Sequence, residues 1–379
     1  MKDMSAPGKT PEKVLMTADT VGGVWTFSIE LAAALEKKGV QVFLATMGAP
    51  LNRDQISDTK KIPGMEVFES GFRLELMQDP WENVRLAGDW LLGLERYLGP
   101  DMIHLNGYSH GSLPFRAPAV ITGHSCVLSW WEAVKGDSAP REWDRYREEV
   151  KRGLTGARAV AAPTKAMLEV LRRLYGFSAP SRVIPNGRDQ ALFRPGEKQE
   201  FVFTAGRLWD EAKNAEALQS VAGLLDWPVY AAGQAYHPSG TPVSGGPVKM
   251  LGALSSKELA SWLSAASVFA LPAFYEPFGL SALEAGLSGA ALVLGDIPSL
   301  RETWEGAALF VDPRDRQALK DALVLLTKDR GLRQGLAEKA RARALSYTAS
   351  RMADGYLDLY STALDGRRAG IREGQGCGS

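Results

Sequence analysis

Three observations predict an α/β protein built of two parallel-sheet halves that face each other across a cleft. Short apolar runs alternate with helical periodicity through residues 14–162, and the same plan returns through 201–311. Strands alternating with helices imply parallel β-α-β units, because parallel neighbours need a crossover long enough to hold a helix. Between the two series, Ile184-Pro185-Asn186-Gly187 to Phe193-Arg194-Pro195-Gly196 is rich in turn formers and reads as a linker. The third observation is size: 379 residues exceed the usual extent of one core, and 45% hydrophobic content can fill two.

The first half opens with the strand-like Val14-Leu15-Met16-Thr17-Ala18 and a turn at Val21-Gly22-Gly23-Val24. A helix follows with Phe27, Leu31 and Leu35 on one stripe, Lys37 and Lys38 in its last turn and Gly39 as its stop. Further strands are expected at 40–45, 102–105, 119–122 and 159–162. The second half is expected to place strands at 201–205, 228–232, 248–251, 267–271, 291–294 and 308–311. Ser255-Ser256-Lys257-Glu258 is a capping box opening the helix of Leu259, Trp262 and Leu263. The helical stretch at roughly 316–365 is too long for one globular helix and is expected to break near Ser346-Tyr347-Thr348, with a frayed tail from Gly370.

Composition narrows the function classes. The 44 basic and 44 acidic residues cancel, which argues against bulk electrostatic binding of nucleic acid and leaves only local basic patches such as Arg145-Tyr146-Arg147 to Lys151-Arg152, or Arg367-Arg368. Cys126 and Cys377 are far apart, and His104, His110, His124 and His237 form no metal-ligand pair, so neither a disulfide framework nor a structural zinc site is expected. No charged-then-apolar leader opens the sequence and no 18-residue apolar stretch occurs. The expectation is a cytoplasmic protein without a membrane span, with peripheral membrane contact left open.

In open parallel sheets ligands bind beyond the carboxyl ends of the strands, and two post-strand segments stand out. Residues 272–286 carry Glu276 and Glu284 with seven residues between them, and Pro277-Phe278-Gly279-Leu280 after the first. Proline suits the first helical position, which predicts a helix starting at Pro277 with the amides of Phe278, Gly279 and Leu280 aimed at an anion. Glu284, four residues after Leu280, falls on the same side one turn deeper. A phosphate at the helix mouth with a carboxylate on either side fits a sugar nucleotide; the same spacing fits a capped helix with two surface glutamates. The second segment is Gly206-Arg207-Leu208-Trp209-Asp210-Glu211-Ala212-Lys213-Asn214. Arg207 offers a planar fork for a diphosphate and Lys213 a mobile charge, or both pair with Asp210 and Glu211 at the surface.

Taken in order, Gly22-Gly23-Val24, Thr122-Gly123-His124, Val183-Ile184-Pro185-Asn186-Gly187, Gly206-Arg207-Leu208 with Lys213, and Glu276-x7-Glu284 closely resemble the retaining GT-B glycosyltransferases of family 4. The resemblance covers roughly residues 14–365 and is specific for the donor site rather than the acceptor. It implies two Rossmann-like domains, at 1–190 and 191–349, with a closing helix at 350–365 packed back on the first. It also implies a nucleoside diphosphate sugar as donor and an acceptor that the sequence does not name. Glu276 would hold donor-sugar hydroxyls with the amides of Phe278 and Gly279, Leu280 would take up the distal phosphate, and Glu284 would accept from the ribose hydroxyls. Arg207 and Lys213 would neutralise the departing diphosphate. His124 would contact the sugar near the reacting carbon, the Gly22-Gly23 amides would approach phosphate and acceptor, and Leu251-Gly252-Ala253-Leu254 would lie along the nucleobase. No cofactor is implied, and with no Asp-x-Asp triplet no metal is expected. UDP is favoured on prevalence.

Two departures mark this chain. Lys213 stands one residue later than the family's lysine, and Asn106 occupies a position where histidine is frequent. His104 reads as a satisfied core residue, and His110 and His237 as solvated loop residues. Trp130-Trp131-Glu132 and Trp143 fit an acceptor groove or a helix packed on the first sheet, with Asp137 and Arg141 in the same insertion. A hexosyltransferase is the leading reading. The alternatives are a catalytically silent sugar-nucleotide binder and a nucleotide-sugar epimerase of the same fold, the latter disfavoured by the Glu-Pro-Phe-Gly-Leu segment.

Overall fold

A computed structural model describes residues 10–234 and 246–373, with side chains described up to residue 365. His237, Cys377, the side chains of Arg367-Arg368 and the tail beyond Glu373 lie outside the described residues. The first sheet has seven strands: β1 Lys13–Asp19, β2 Gln41–Met47, β3 Glu66–Glu69, β4 Met102–Leu105, β5 Ala119–Thr122, β6 Ala159–Ala162 and β7 Ser181–Val183. They run parallel in the order β3-β2-β1-β4-β5-β6-β7. The second has six: β8 Gln199–Ala205, β9 Val229–Ala232, β10 Lys249–Gly252, β11 Ala266–Leu271, β12 Ala291–Gly295 and β13 Leu309–Val311. Their order is β10-β9-β8-β11-β12-β13, again parallel.

The apolar runs anticipate every central strand, because strands covered on both faces carry continuous Val, Leu, Ile and Ala. The edge strands β3 and β7 were not anticipated. Glu66-Val67-Phe68-Glu69 has charges at both ends, and Ser181-Arg182-Val183 is only three residues long, features that protect an exposed edge and remove the hydrophobic signal. Strand order reverses between β1 and β4 and between β8 and β11. Those reversals are the switch points where a crevice opens at the carboxyl ends of the strands. The loops that follow these four strands begin at Thr20, Asn106, Gly206 and Pro272.

The C-terminal stretch breaks twice, giving helices Arg316–Lys328, Arg330–Ala344 and Ala349–Glu373. The break at 345–348 lies where Ser346-Tyr347-Thr348 is expected to interrupt the helix. The one at Asp329 was missed; its side chain accepts from Leu332 N at 2.8 Å and so caps the next helix. Gly187 lies directly against the second break, where a Cβ would stand 2.2 Å from the Thr348 carbonyl oxygen, so only glycine fits. Beyond it, Met352, Tyr356, Leu359 and Tyr360 join Val14, Phe27, Leu31 and Val120 in the core of the first half. His104 is fully buried there, bonded through Nδ1 to Tyr360 OH and through Nε2 to Thr122 Oγ1, both at 2.7 Å, and burial lowers its pKa to about 3. His110 corrects the expectation of a solvated loop residue. It is buried in the short turn Ser109–Ser112 and its Nε2 donates to the Val84 carbonyl at 2.9 Å. Among the described residues, no helix is long and apolar enough to cross a membrane.

Candidate active site in the cleft

The loops after β8 and β11 are built as one unit. After Gly206-Arg207, the Asp210 side chain caps the short turn Glu211–Lys213 by accepting from Ala212 N at 3.0 Å. The next residue, Asn214, turns left-handed at φ 55°, and its amide donates to the carbonyls of Pro272 and Pro313 at 2.9 and 2.7 Å. The Ala212 carbonyl accepts from Phe274 N at 2.9 Å. With the two loops tied together, Lys213 Nζ meets Glu276 Oε2 at 2.5 Å, a pair largely shielded from solvent. The extra residue before Lys213 is therefore accommodated, and the lysine faces the first carboxylate of the Glu-x7-Glu pattern.

The helix start differs from expectation. Helix Leu280–Leu287 begins three residues after Pro277, and Gly279 is its cap at φ 92°. Glu276 Oε1 accepts from Gly279 N at 3.0 Å, which holds the chain in a left-handed turn that an L side chain would strain. The orphan helical amides are thus those of Leu280, Ser281 and Ala282, while the Gly279 amide is already occupied by Glu276. Phe278 is buried and packs edge-on against Tyr347, with ring centroids 5.6 Å apart.

Glu284 is buried on the Leu280 side of this helix, one turn deeper, and Arg188 Nε from the linker lies 2.9 Å from its Oε1. Burial raises the Glu284 pKa, and the guanidinium beside it pulls the other way. Leu254, after β10, is half-buried and packs against the core of the second half. Arg207 Nη2 pairs with Asp210 Oδ2 at 3.1 Å, as the surface alternative anticipated, while its guanidinium also lies 5.8 Å from the Trp209 ring. Glu211 pairs instead with Lys135 at 2.6 Å.

The first half supplies the facing wall. Gly22, at φ 79°, caps helix Gly23–Glu36, and both glycines are exposed. A Cβ on Gly22 would stand 3.7 Å from Arg207 Nη1, and one on Gly23 would stand 3.6 Å from Leu280 Cδ1. His124 is half-buried against Phe27, and its Nε2 bonds Asn106 Oδ1 at 2.8 Å. Asn106 Nδ2 donates to the Thr17 carbonyl at 2.7 Å and approaches Ser28 Oγ at 3.2 Å. Because a carbonyl only accepts, this network fixes the amide orientation, assigns the proton to His124 Nε2 and leaves Nδ1 as an acceptor. Burial holds the imidazole neutral, with a pKa lowered to about 3.

Helix Val127–Lys135 closes the side of the cleft. Trp130 Nε1 donates to Asp210 Oδ1 at 3.0 Å, and Ser129 Oγ bonds Tyr275 OH at 2.8 Å, so this helix docks on the donor loops. Trp131 packs edge-on to Trp130 at 5.8 Å and Trp143 edge-on to Tyr146 at 5.7 Å, while Asp137 and Arg141 are exposed. Sequence reasoning missed Asp19, and it offered Asp210 only as a surface partner of Arg207, not as the acceptor for Trp130. Asp19 ends β1 and accepts from Val21 N at 2.9 Å. Burial raises its pKa to about 6 against the pull of that amide and of Arg207. A carboxylate ending a central strand, three residues before a glycine pair, was the available signal.

Chemically, this arrangement sets Lys213 and a helix N-terminus beside Glu276, with Arg207 on Asp210 and next to Gly22, opposite exposed glycine backbone. A family model described as Glycosyltransferase Family 4 matches residues 21–192, and one described as Glycosyl transferases group 1 matches 245–343, most of the chain between them. A D-inositol 3-phosphate glycosyltransferase of Nocardia farcinica is 24% identical over 404 residues, spanning 93% of this chain and 88% of that protein. Sucrose-phosphate synthase from Thermosynechococcus elongatus has a similar fold, with a TM-score of 0.78 at 21% identity over 94% of this chain and 100% of that one. HepE of Anabaena, solved in complex with UDP-glucose, gives 0.73 at 17% identity over 92% and 99%. The chain belongs to the GT-B glycosyltransferases of family 4, the glycosyl transferases of group 1.

Proposed function

We propose that this glycosyltransferase moves a hexose from a nucleoside diphosphate sugar to its acceptor with retention of configuration, without a bound metal. The observation that carries the reading is the pairing of Lys213 with Glu276 beside the start of helix Leu280–Leu287, facing the Gly22-Gly23 backbone that Arg207 and Leu280 approach. Breaking a glycosyl–phosphate bond builds negative charge on the leaving diphosphate and positive charge on the sugar. Fixed donors aimed at the diphosphate stabilise that transition state more than the ground state. Arg207, Lys213 and the amides of Leu280 and Ser281 take this role. On donor binding Arg207 exchanges Asp210 for phosphate, an exchange its partial exposure permits.

Glu276 orients the sugar hydroxyls, His124 accepts from one through Nδ1, and Glu284 takes the ribose. Leu254 and its neighbours border the base. Residues 1–190 with the closing helix present the acceptor, and 191–349 hold the donor. UDP is the favoured nucleotide, in keeping with the UDP-glucose bound by HepE.

The test is release of nucleoside diphosphate from UDP-, GDP- and ADP-hexoses in excess EDTA, with NMR of the product's anomeric proton. Turnover of the UDP-sugar that EDTA leaves unchanged is the expected result. A complete loss restored by magnesium would overturn the assignment of Arg207 and Lys213 as the leaving-group stabilisers.

A further inference from the structure

The linker contributes a charged residue that the donor reading does not use. Arg188 is nearly inaccessible, its side chain only 9% exposed, and it lies between two carboxylates from different halves. On one side Nη1 meets Glu30 Oε1 at 2.5 Å; on the other Nε meets Glu284 Oε1 at 2.9 Å. The rest of the residue is equally constrained. Its guanidinium stacks 4.9 Å from the Phe193 ring, and its N–H donates to the Tyr347 carbonyl at 3.1 Å. Glu30 is held in turn, since its Oε2 accepts from Asp189 N at 3.0 Å. Glu30 stands two turns along the helix that Gly22-Gly23 opens. Among the described residues, no group other than Arg188 pairs with Glu284, the contact lying at Oε1, and no hydrogen bond is found to Oε2.

We propose that Arg188 is a positioning residue for the donor nucleotide: anchored by Glu30 of the first half, it takes one oxygen of Glu284 and leaves the other to accept the ribose hydroxyls. This rests on the reading of Glu284 as the ribose carboxylate. The physical requirement is plain. A carboxylate buried to this depth is pushed towards its neutral form, and a proton on it would compete for the oxygen that must accept from the diol. The charged groups that bear on Glu284 are Arg188 and, across it, Glu30 with Asp189 beside it, so Arg188 is the single opposing cation among the described residues. The nucleotide site is therefore completed by a side chain that the acceptor half holds in place.

The test is titration calorimetry with UDP, GDP and ADP and their 2′-deoxy forms, at about pH 6, 7 and 8. The affinity ratio of each ribonucleotide to its 2′-deoxy form cancels the titration of the phosphates, which both share. Wild type should keep a constant ratio across this range. In Arg188→Met the ratio should fall by about twofold or more between pH 8 and pH 6, as the buried carboxyl takes up its proton. Because Arg188→Met leaves two buried carboxylates unpaired, the double variant Arg188→Met/Glu30→Gln is run beside it and carries the same expectation if the single variant does not fold. A ratio in these variants equal to that of wild type at every pH would overturn the proposal. Glu284→Ala separates the two levels: it should bring the ratio near one at all pH values. If Glu284→Ala kept the wild-type ratio, or if wild type bound none of the three nucleotides, the underlying donor reading would fall, and this inference with it.

Discussion

The loops at the switch point of the second half, after β8 and β11, are tied to one another through main chain, whereas those of the first half, after β1 and β4, are tied through side chains. In the second half Phe274 N donates to the Ala212 carbonyl, reinforced by the Asn214 amide and the Lys213–Glu276 pair. In the first half, Glu75 accepts from the amides of Tyr108 and Ser109, Tyr108 OH donates to the Ser125 carbonyl, and Asn106 fixes His124. Main-chain stitching keeps its geometry whatever side chains surround it, so the second half's side of the cleft is a fixed frame. Geometry that depends on side chains changes with each substitution, which on the proposed reading suits a wall that must fit a particular acceptor.

That contrast can be tested in order of expected effect. The largest concerns charge presented by the fixed frame. Lys213→Ala or Arg207→Ala should raise the barrier by about 3 kcal/mol, near a hundredfold in kcat/KM, the scale of losing one aimed donor. Wild-type turnover in Arg207→Ala would reduce Arg207 to a partner of Asp210. Next comes the frame itself. Asn214→Ala orphans two buried carbonyls and should lower unfolding stability by about 2 kcal/mol in urea melts, with donor affinity falling alongside. Unchanged stability would mean that the main-chain bonds hold the loops unaided.

A third test exploits the buried histidine of the first half. His104 has a folded pKa of about 3 against an ordinary 6.5, so between those values only the unfolded chain takes up the proton. Stability should fall as pH drops from about 6.5 towards 3 and show no such dependence above that window. Asp19, Glu30 and Glu284, raised by burial, oppose this slope. The quantity to measure is therefore the difference between wild type and His104→Gln, about 1 kcal/mol per pH unit. Parallel melting curves for the two would refute the assignment. The smallest effect is expected at Trp130→Phe, which removes one hydrogen bond across the cleft and should cost about 1 kcal/mol or less in kcat/KM. A larger loss would make the docked helix part of the fixed frame.

The same contrast explains what the sequence could reveal. Gly206-Arg207, Glu276 and Glu284 stand in segments that follow strands, which the parallel-sheet reading directs towards one crevice, although their spacing by itself also fits surface charges. The left-handed turn at Gly279 was illegible because the Glu276 carboxylate dictates it, overriding the preference of Pro277 for a helix start. Arg188 was passed over as linker because its partners, Glu30 and Glu284, are remote in sequence and only the assembled halves bring them to it. The edge strands β3 and β7 lacked the hydrophobic run that marks buried strands. Asp19 carried a positional cue, but no motif.

The closing helix has a consequence for the order in which the protein can mature. Residues Met352 to Ala363 complete a core whose other members, from Val14 to Ile184, leave the ribosome much earlier. Domains generally fold in the order of synthesis. Here the first half emerges with the Nδ1 of His104 lacking Tyr360 and with Phe27 uncovered on its Tyr356 side. It must wait in that unfinished state while the whole second half is made. A chain arrested before residue 349 would therefore carry a finished second sheet beside a first sheet with an open seam, the surface that a chaperone or a protease would meet first.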